Sequence, residues 1–216
     1  MTDRARLVLV TPAPAEGEEW PGALPARLAE ALDAGRVDAV VLRLPAADDR
    51  TLLKLLKPIV PVVQERGAAL LLQDAPALVA RSGADGAHVT NPSAIAEALE
   101  TLRPQERIVG TAGLRARHDA MEAAEVGVDY VMFGEPRADG SVPPATVTLE
   151  RVEWWAEVFQ TPCVAFVHDL GDVEAMTATG CEFVALGAAV FDHPAGPADA
   201  VRKALEAIAS ATVPQR

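Results

Sequence analysis

SGADGAHV, residues 82–89, is the stretch whose reading decides the fold. Gly83 stands where a helix must end, in the left-handed conformation that glycine adopts at no steric cost. Ala84 is a spacer, Asp85 follows, and a short apolar run then opens a buried strand. The same order returns in VGVDYVMF (126–133) and TGCEFVAL (179–186), with Gly127 and Asp129, then Gly180 and Glu182, at the same spacing. A looser copy stands at Gly35 and Asp38, three apart instead of two. Such repetition marks successive turns of one architecture, at the end where helices feed strands.

Working outward, the runs RLVLV (6–10), DAVVLRL (38–44), AALLL (68–72), GAHV (86–89), RIVG (107–110), DYVMFG (129–134), CVAFV (163–167) and EFVALG (182–187) read as strands. Between them lie amphipathic, helix-like segments, among them RTLLKLLKPIVPVVQERG (50–67) and TLERVEWWAEVF (148–159). β then α, about eight times over, calls for a parallel sheet with helices outside it. The predicted fold is an α/β protein, a single (β/α)8 TIM-barrel domain over residues 1–216. An open doubly wound sheet is the alternative, and no GxGxxG follows the first strand to support it.

With 216 residues, half of them hydrophobic, the chain can bury one sizeable core. Its net charge of -12 repels nucleic acid and anionic membranes, so neither is expected as a main partner. A small phosphorylated or heterocyclic ligand stays open, because a few local cations or helix N-termini can hold a phosphate against the overall field. No long uncharged stretch is present, and MTDRAR leads directly into an apolar strand, so a soluble, cytoplasmic protein is expected. Cys163 and Cys181 sit in apolar runs and read as buried small hydrophobes.

A barrel gathers its site at the C-terminal ends of the strands. The residues there are Thr11, Arg43, Asp74, His88 with Thr90 and Asn91, Thr111, Gly134 with Glu135, His168 with Asp169, and Gly187. In LLLQDAP (70–76) an aliphatic strand runs into Asp74, a carboxylate that solvent, a cation or a ligand can meet. Arg43 either grips a phosphate with its fork of donors or pairs with Asp74 to plug the barrel. Asp74 alone makes a poor magnesium site, because that ion takes carboxylates together with substrate phosphates and waters. His88 reads as a general acid or base, or as a hydrogen-bonded core histidine. His168 and Asp169 read as a titratable pair at the rim, with Asp169 as a helix cap the alternative. PRADGSVPPATVT (136–148) is long enough for a lid and equally suits a stiff connection. Trp154, Trp155 and Phe159 follow helical spacing and suit helix packing or a contact within a homo-oligomer.

The order LVLVTP (7–12), VVLRL (40–44), LLLQDAPALVARSGADGAHVT (70–90), IVGTAG (108–113), GVDYVMFGEP (127–136) and CVAFVHDLGDVEAMTATGCEFVALGAAVF (163–191) resembles the thiamine phosphate synthase and thiazole tautomerase superfamily over nearly the whole chain. The resemblance implies a TIM barrel. For the synthase it implies an enzyme that joins a hydroxymethylpyrimidine diphosphate to a thiazole phosphate, with magnesium, and releases diphosphate. It implies catalytic or substrate-binding roles for Arg43, Gln73 and His88, and a metal-binding role for Asp74. Other positions depart from the pattern. Val41 and Pro45 replace a glutamine and a lysine around Arg43, Ala75 replaces an arginine, and Thr90 and Asn91 replace Gly-Gln. Ser93 falls where the second metal-binding aspartate would be, Ala112 and Ala188 fall at serines, and Val167 with His168 fall at paired phosphate-binding glycines. The Thr-x-Thr-Lys segment is absent from EPRADGSVPPA (135–145), which has no lysine. The expected activity is therefore a weakened or altered synthase. A ligand-binding protein without catalysis, or another acid/base enzyme using His168 and Asp169, are the alternatives.

Overall fold

The computed structural model describes residues 4–14, 20, 22–137 and 140–213. Eight parallel strands follow in chain order and close on themselves: β1 (Arg6–Val10), β2 (Ala39–Leu42), β3 (Ala69–Gln73), β4 (Gly86–Val89), β5 (Ile108–Thr111), β6 (Tyr130–Phe133), β7 (Cys163–Val167) and β8 (Phe183–Leu186). β1 pairs with both β2 and β8, so no sheet edge is left unpaired. The chain is a (β/α)8 TIM barrel. Around it lie α1 (Leu24–Asp33), α2 (Asp49–Leu56), α3 (Ile59–Gln64), α4 (Pro76–Ser82), α5 (Ile95–Leu102), α6 (Arg117–Glu125), α7 (Ala145–Val158), α8 (Val173–Ala178), α9 (Ala188–Phe191) and α10 (Pro197–Ser210). None of these helices is long and apolar enough to cross a membrane.

The strands read as continuous apolar runs because both of their faces are buried. Alternate residues such as Leu7, Leu9, Val40, Leu42, Leu70 and Leu72 pack outward against the helices. The residues between them, including Val8, Val10, Val41, Leu71, Tyr130, Met132, Val164 and Phe166, form a separate inner cluster that fills the barrel.

The repeated acid has a specific task. Asp85 accepts a hydrogen bond from the backbone N–H of Leu70 (2.8 Å), Asp129 from that of Val109 (2.7 Å), and Glu182 from that of Cys163 (2.9 Å). Each acid thus opens one strand and satisfies an N–H near the start of the strand before it. Gly83, Gly127 and Gly180 have φ of 85°, 90° and 85°, as the pattern requires. Gly35 differs from the expected copy, because its φ is not left-handed. A Cβ there would lie 2.3 Å from Cδ1 of Leu205, so Gly35 lets α10 approach closely.

The segment 50–67 forms two helices instead of one. α2 stops at Leu56 and α3 starts at Ile59. Pro58 has no N–H for the ladder and its ring obstructs the preceding turn, so the periodicity continues while the helix does not. Cys163 and Cys181 are buried free thiols. Trp155 is fully buried and stacks on Phe159 at 4.0 Å, with Trp154 edge-on to both, which accounts for this aromatic group as helix packing.

Candidate active site

Strand register builds the site. β3, β4, β5 and β6 bring Gln73 beside His88, His88 beside Gly110, and Gly110 beside Tyr130. One step beyond the Leu42–Leu72 pair, Arg43 stands opposite Gln73. Its Nε donates to Gln73 Oε1 (3.2 Å), and its backbone N–H donates to Thr11 Oγ1 (2.9 Å). A row from Arg43 through Gln73, His88 and Gly110 to Tyr130 therefore crosses five strands and meets the inner cluster at Tyr130.

In the middle of this row Gly110 has no side chain, and the Tyr130 ring occupies the space a Cβ would need, with Cζ 1.9 Å from its ideal position. Tyr130 reaches over β5 to His88, whose Nδ1 is 2.7 Å from the hydroxyl, and the two rings stack at 5.7 Å. Burial, opposed by Asp74 and reinforced by Arg43, lowers the His88 pKa to about 4. Near pH 7 the neutral form of His88 is therefore favoured. Burial also pushes the Tyr130 hydroxyl upward, so it stays protonated.

At the Arg43 end of this row the mouth is a cavity of about 220 Å³ lined by Thr11, Arg43, Pro136, Phe166, His168 and Gly187, among others. Arg43 is its cation. Burial lowers the Arg43 pKa and Glu135 opposes the shift. The imidazole of His168 donates from Nε2 to the Gly134 carbonyl (2.7 Å), since a carbonyl only accepts. A second cavity of about 210 Å³ lies beyond His168, against Val142, Pro143 and Thr148. The backbone of this connection turns back on itself, Arg137 N–H donating to the Ser141 carbonyl (2.9 Å). Residues 138 and 139 of the expected lid lie outside the described residues.

Several expected contacts are replaced by others. Of the two readings of Arg43, the pairing with Asp74 is not formed: Arg43 takes Gln73 as its partner, and Asp74 takes Thr90, Oδ1 accepting from the Thr90 N–H (2.7 Å) and Oδ2 from its hydroxyl (2.6 Å). His168 and Asp169 make their hydrogen bonds separately. Each is held by a different partner, and Asp169 Oδ1 accepts from Gly171 N–H (2.8 Å), the cap role. Asn91 caps its own turn, accepting from Ser93 N–H (3.2 Å). Thr111 is fully buried and donates to the Val89 carbonyl (2.9 Å), away from the mouth. Thr11, Arg43, His168, Gly134 and Gly187 do meet at the mouth.

The resemblance implies magnesium, and the donor set does not fit it. Asp74 is one carboxylate with both oxygens engaged, and among the described residues no three His, Cys, Asp or Glu side chains stand where they could hold a metal ion.

Glu135 is a strand-end residue to which the sequence assigned no role. Its Oε1 accepts from Gly113 N–H (2.6 Å), while Oε2 is buried with no hydrogen-bond partner among the described residues. Burial raises its pKa, offset by the Gly113 N–H, its own N–H, Arg151 and Arg43. Tyr130 also escapes a reading by strand ends. The available signal was the chain's only tyrosine at an inward position, with a glycine at the matching place of the preceding strand.

The family model for thiamine monophosphate synthase matches residues 7–190. The chain belongs to the thiamine monophosphate synthase family. Among its relatives, a thiamine-phosphate synthase of Rhodospirillum centenum is 41% identical over 207 residues, spanning 93% of this chain and 96% of the relative. A thiamine-phosphate synthase of Hyphomonas neptunium is 33% identical over 208 residues, spanning 92% and 91%. The structure superimposes on thiamine phosphate pyrophosphorylase from Pyrococcus furiosus with a TM-score of 0.77 and 20% identity, covering 96% of this chain and 97% of that one. At that identity the superposition speaks for the fold. A 3-hexulose-6-phosphate synthase also superimposes, with a TM-score of 0.69 and 18% identity, so the barrel by itself does not select the reaction.

Proposed function

We propose that the chain is a cytoplasmic thiamine phosphate synthase of thiamine biosynthesis, working slowly because its leaving-group end carries few cations. In this reaction the thiazole nitrogen donates its lone pair to the methylene carbon of the pyrimidine unit. The carbon–oxygen bond to diphosphate breaks, and its electron pair departs with the diphosphate. The observation that carries the reading is the 41% identity to a curated synthase over 93% of the chain, with Arg43 facing the mouth cavity.

Arg43 supplies a fixed positive charge toward the phosphorylated end of the substrates, held in place by Gln73 and Thr11. Neutral His88 and the protonated Tyr130, bonded to each other, brace the strands beneath Arg43 without adding net charge. His168, anchored to Gly134, stands where the resemblance places a glycine, so phosphate meets an imidazole in place of bare backbone.

A second reading, a ligand-binding protein without turnover, is favoured by the closure of Asp74 against Thr90. The test is to incubate the protein with hydroxymethylpyrimidine diphosphate and thiazole phosphate and to follow thiamine phosphate. Slow, protein-dependent formation is expected. Binding of both compounds without product selects the second reading, and binding of neither overturns both.

A further inference from the structure

We propose that Asp74 is not a metal ligand in this protein and serves instead as a positioning residue, clamped by Thr90, that joins the loop after β3 to the loop after β4. The proposal rests on the synthase reading only in its choice of anion probe. Asp74 has φ of 52°, a left-handed conformation uncommon for a residue with a side chain. Three bonds hold it there: its N–H donates to the His88 carbonyl (2.9 Å), and its two oxygens accept separately from the N–H (2.7 Å) and hydroxyl (2.6 Å) of Thr90. The carboxylate is thus turned onto the neighbouring loop, with each oxygen in a short, charge-assisted bond.

Magnesium requires oxygen donors close to octahedral positions and retains several waters. At Asp74 it would meet a single carboxylate whose two oxygens each already accept from Thr90, leaving only their remaining lone pairs. Residue 93, where the resemblance places a second acid, is a serine, and the Asn91 side-chain oxygen already accepts from the Ser93 N–H. In return the clamp fixes Gln73 and His88, the residues flanking Asp74 on the two joined strands, and through Gln73 it sets the guanidinium of Arg43. The positive charge at the mouth is then supplied by the chain itself.

The wild-type protein decides the question directly. Manganese(II) is titrated into it and free aquo-ion is read by electron paramagnetic resonance; in parallel, inorganic pyrophosphate affinity is measured by calorimetry in EDTA. The expected results are no manganese binding at millimolar concentration, and pyrophosphate binding in EDTA that weakens at least tenfold in Arg43→Ala. A Thr90→Gly/Ser93→Asp variant is expected to gain manganese binding at least tenfold over wild type. Manganese binding by wild type that Asp74→Asn abolishes would overturn the proposal, whatever pyrophosphate does. Absence of pyrophosphate binding, with manganese also unbound, would instead count against the synthase reading and leave the metal conclusion standing.

Discussion

His88 and Tyr130 meet across a strand that lies between them, Nδ1 to hydroxyl at 2.7 Å, because Gly110 on that strand has no side chain to keep them apart. The contact is buried on all sides and ties β4 to β6 above the inner core. Removing the hydroxyl leaves a buried imidazole nitrogen without its partner. Tyr130→Phe is expected to cost about 1–3 kcal/mol in a urea unfolding experiment, with the fold retained.

Gly110 is the complementary test. An added methyl would lie within 2.0 Å of two Tyr130 ring atoms, so Gly110→Ala forces the ring or the strand to move. A loss of about 1–3 kcal/mol is expected from overpacking. Combining it with Tyr130→Leu, which withdraws the ring, should recover part of that loss; strictly additive losses in the two variants would contradict the contact.

Acid stability follows from His88. Its folded pKa of about 4 lies below the ordinary histidine value of 6.5, so between these limits the unfolded chain binds a proton that the folded chain refuses. Stability contributed by neutral, buried His88 is complete above pH 6.5, declines as pH falls toward 4, and is gone below that, by about 3 kcal/mol in all. Wild type should therefore lose more stability between pH 7 and pH 4.5 than His88→Asn does. Equal losses would show that His88 titrates normally in the fold.

Glu135 acts in the opposite direction. Its carboxyl pKa is raised, chiefly by burial, so folding is penalised as pH rises through the folded value, and the penalty is absent below the ordinary carboxylate range. Glu135→Gln keeps an oxygen for the Gly113 N–H and removes the buried charge. Its melting temperature is expected to exceed that of wild type at pH 8 and to match it near pH 4. A pH-independent difference would contradict this.

The fold was legible because its signals are local. A glycine two residues before an acid at the mouth of an apolar run can be read from eight letters, and Asp85, Asp129 and Glu182 all take the N–H of the preceding strand. The site was legible only in outline. Strand ends marked Thr11, Arg43 and His168 for the mouth, but pairing depends on register and on side-chain direction. Asp74 and Thr90 are 16 residues apart and meet because β3 and β4 are neighbours; Arg43 finds Gln73 for the same reason. Asp169 was drawn to its own turn, a local bond that competes with any longer-range partner. Pro58 divided a helix whose apolar spacing runs straight through it.

The central proposal is that Arg43 holds the phosphorylated end of a thiamine-type ligand in the mouth cavity. Calorimetric titration of thiamine phosphate into wild type and Arg43→Ala, in EDTA at pH 7.5, tests it most directly. Saturable binding of one molecule per chain, weakened about tenfold or more in the variant, is the expected result. Wild type that does not bind, or a variant that binds as tightly as wild type, would contradict it.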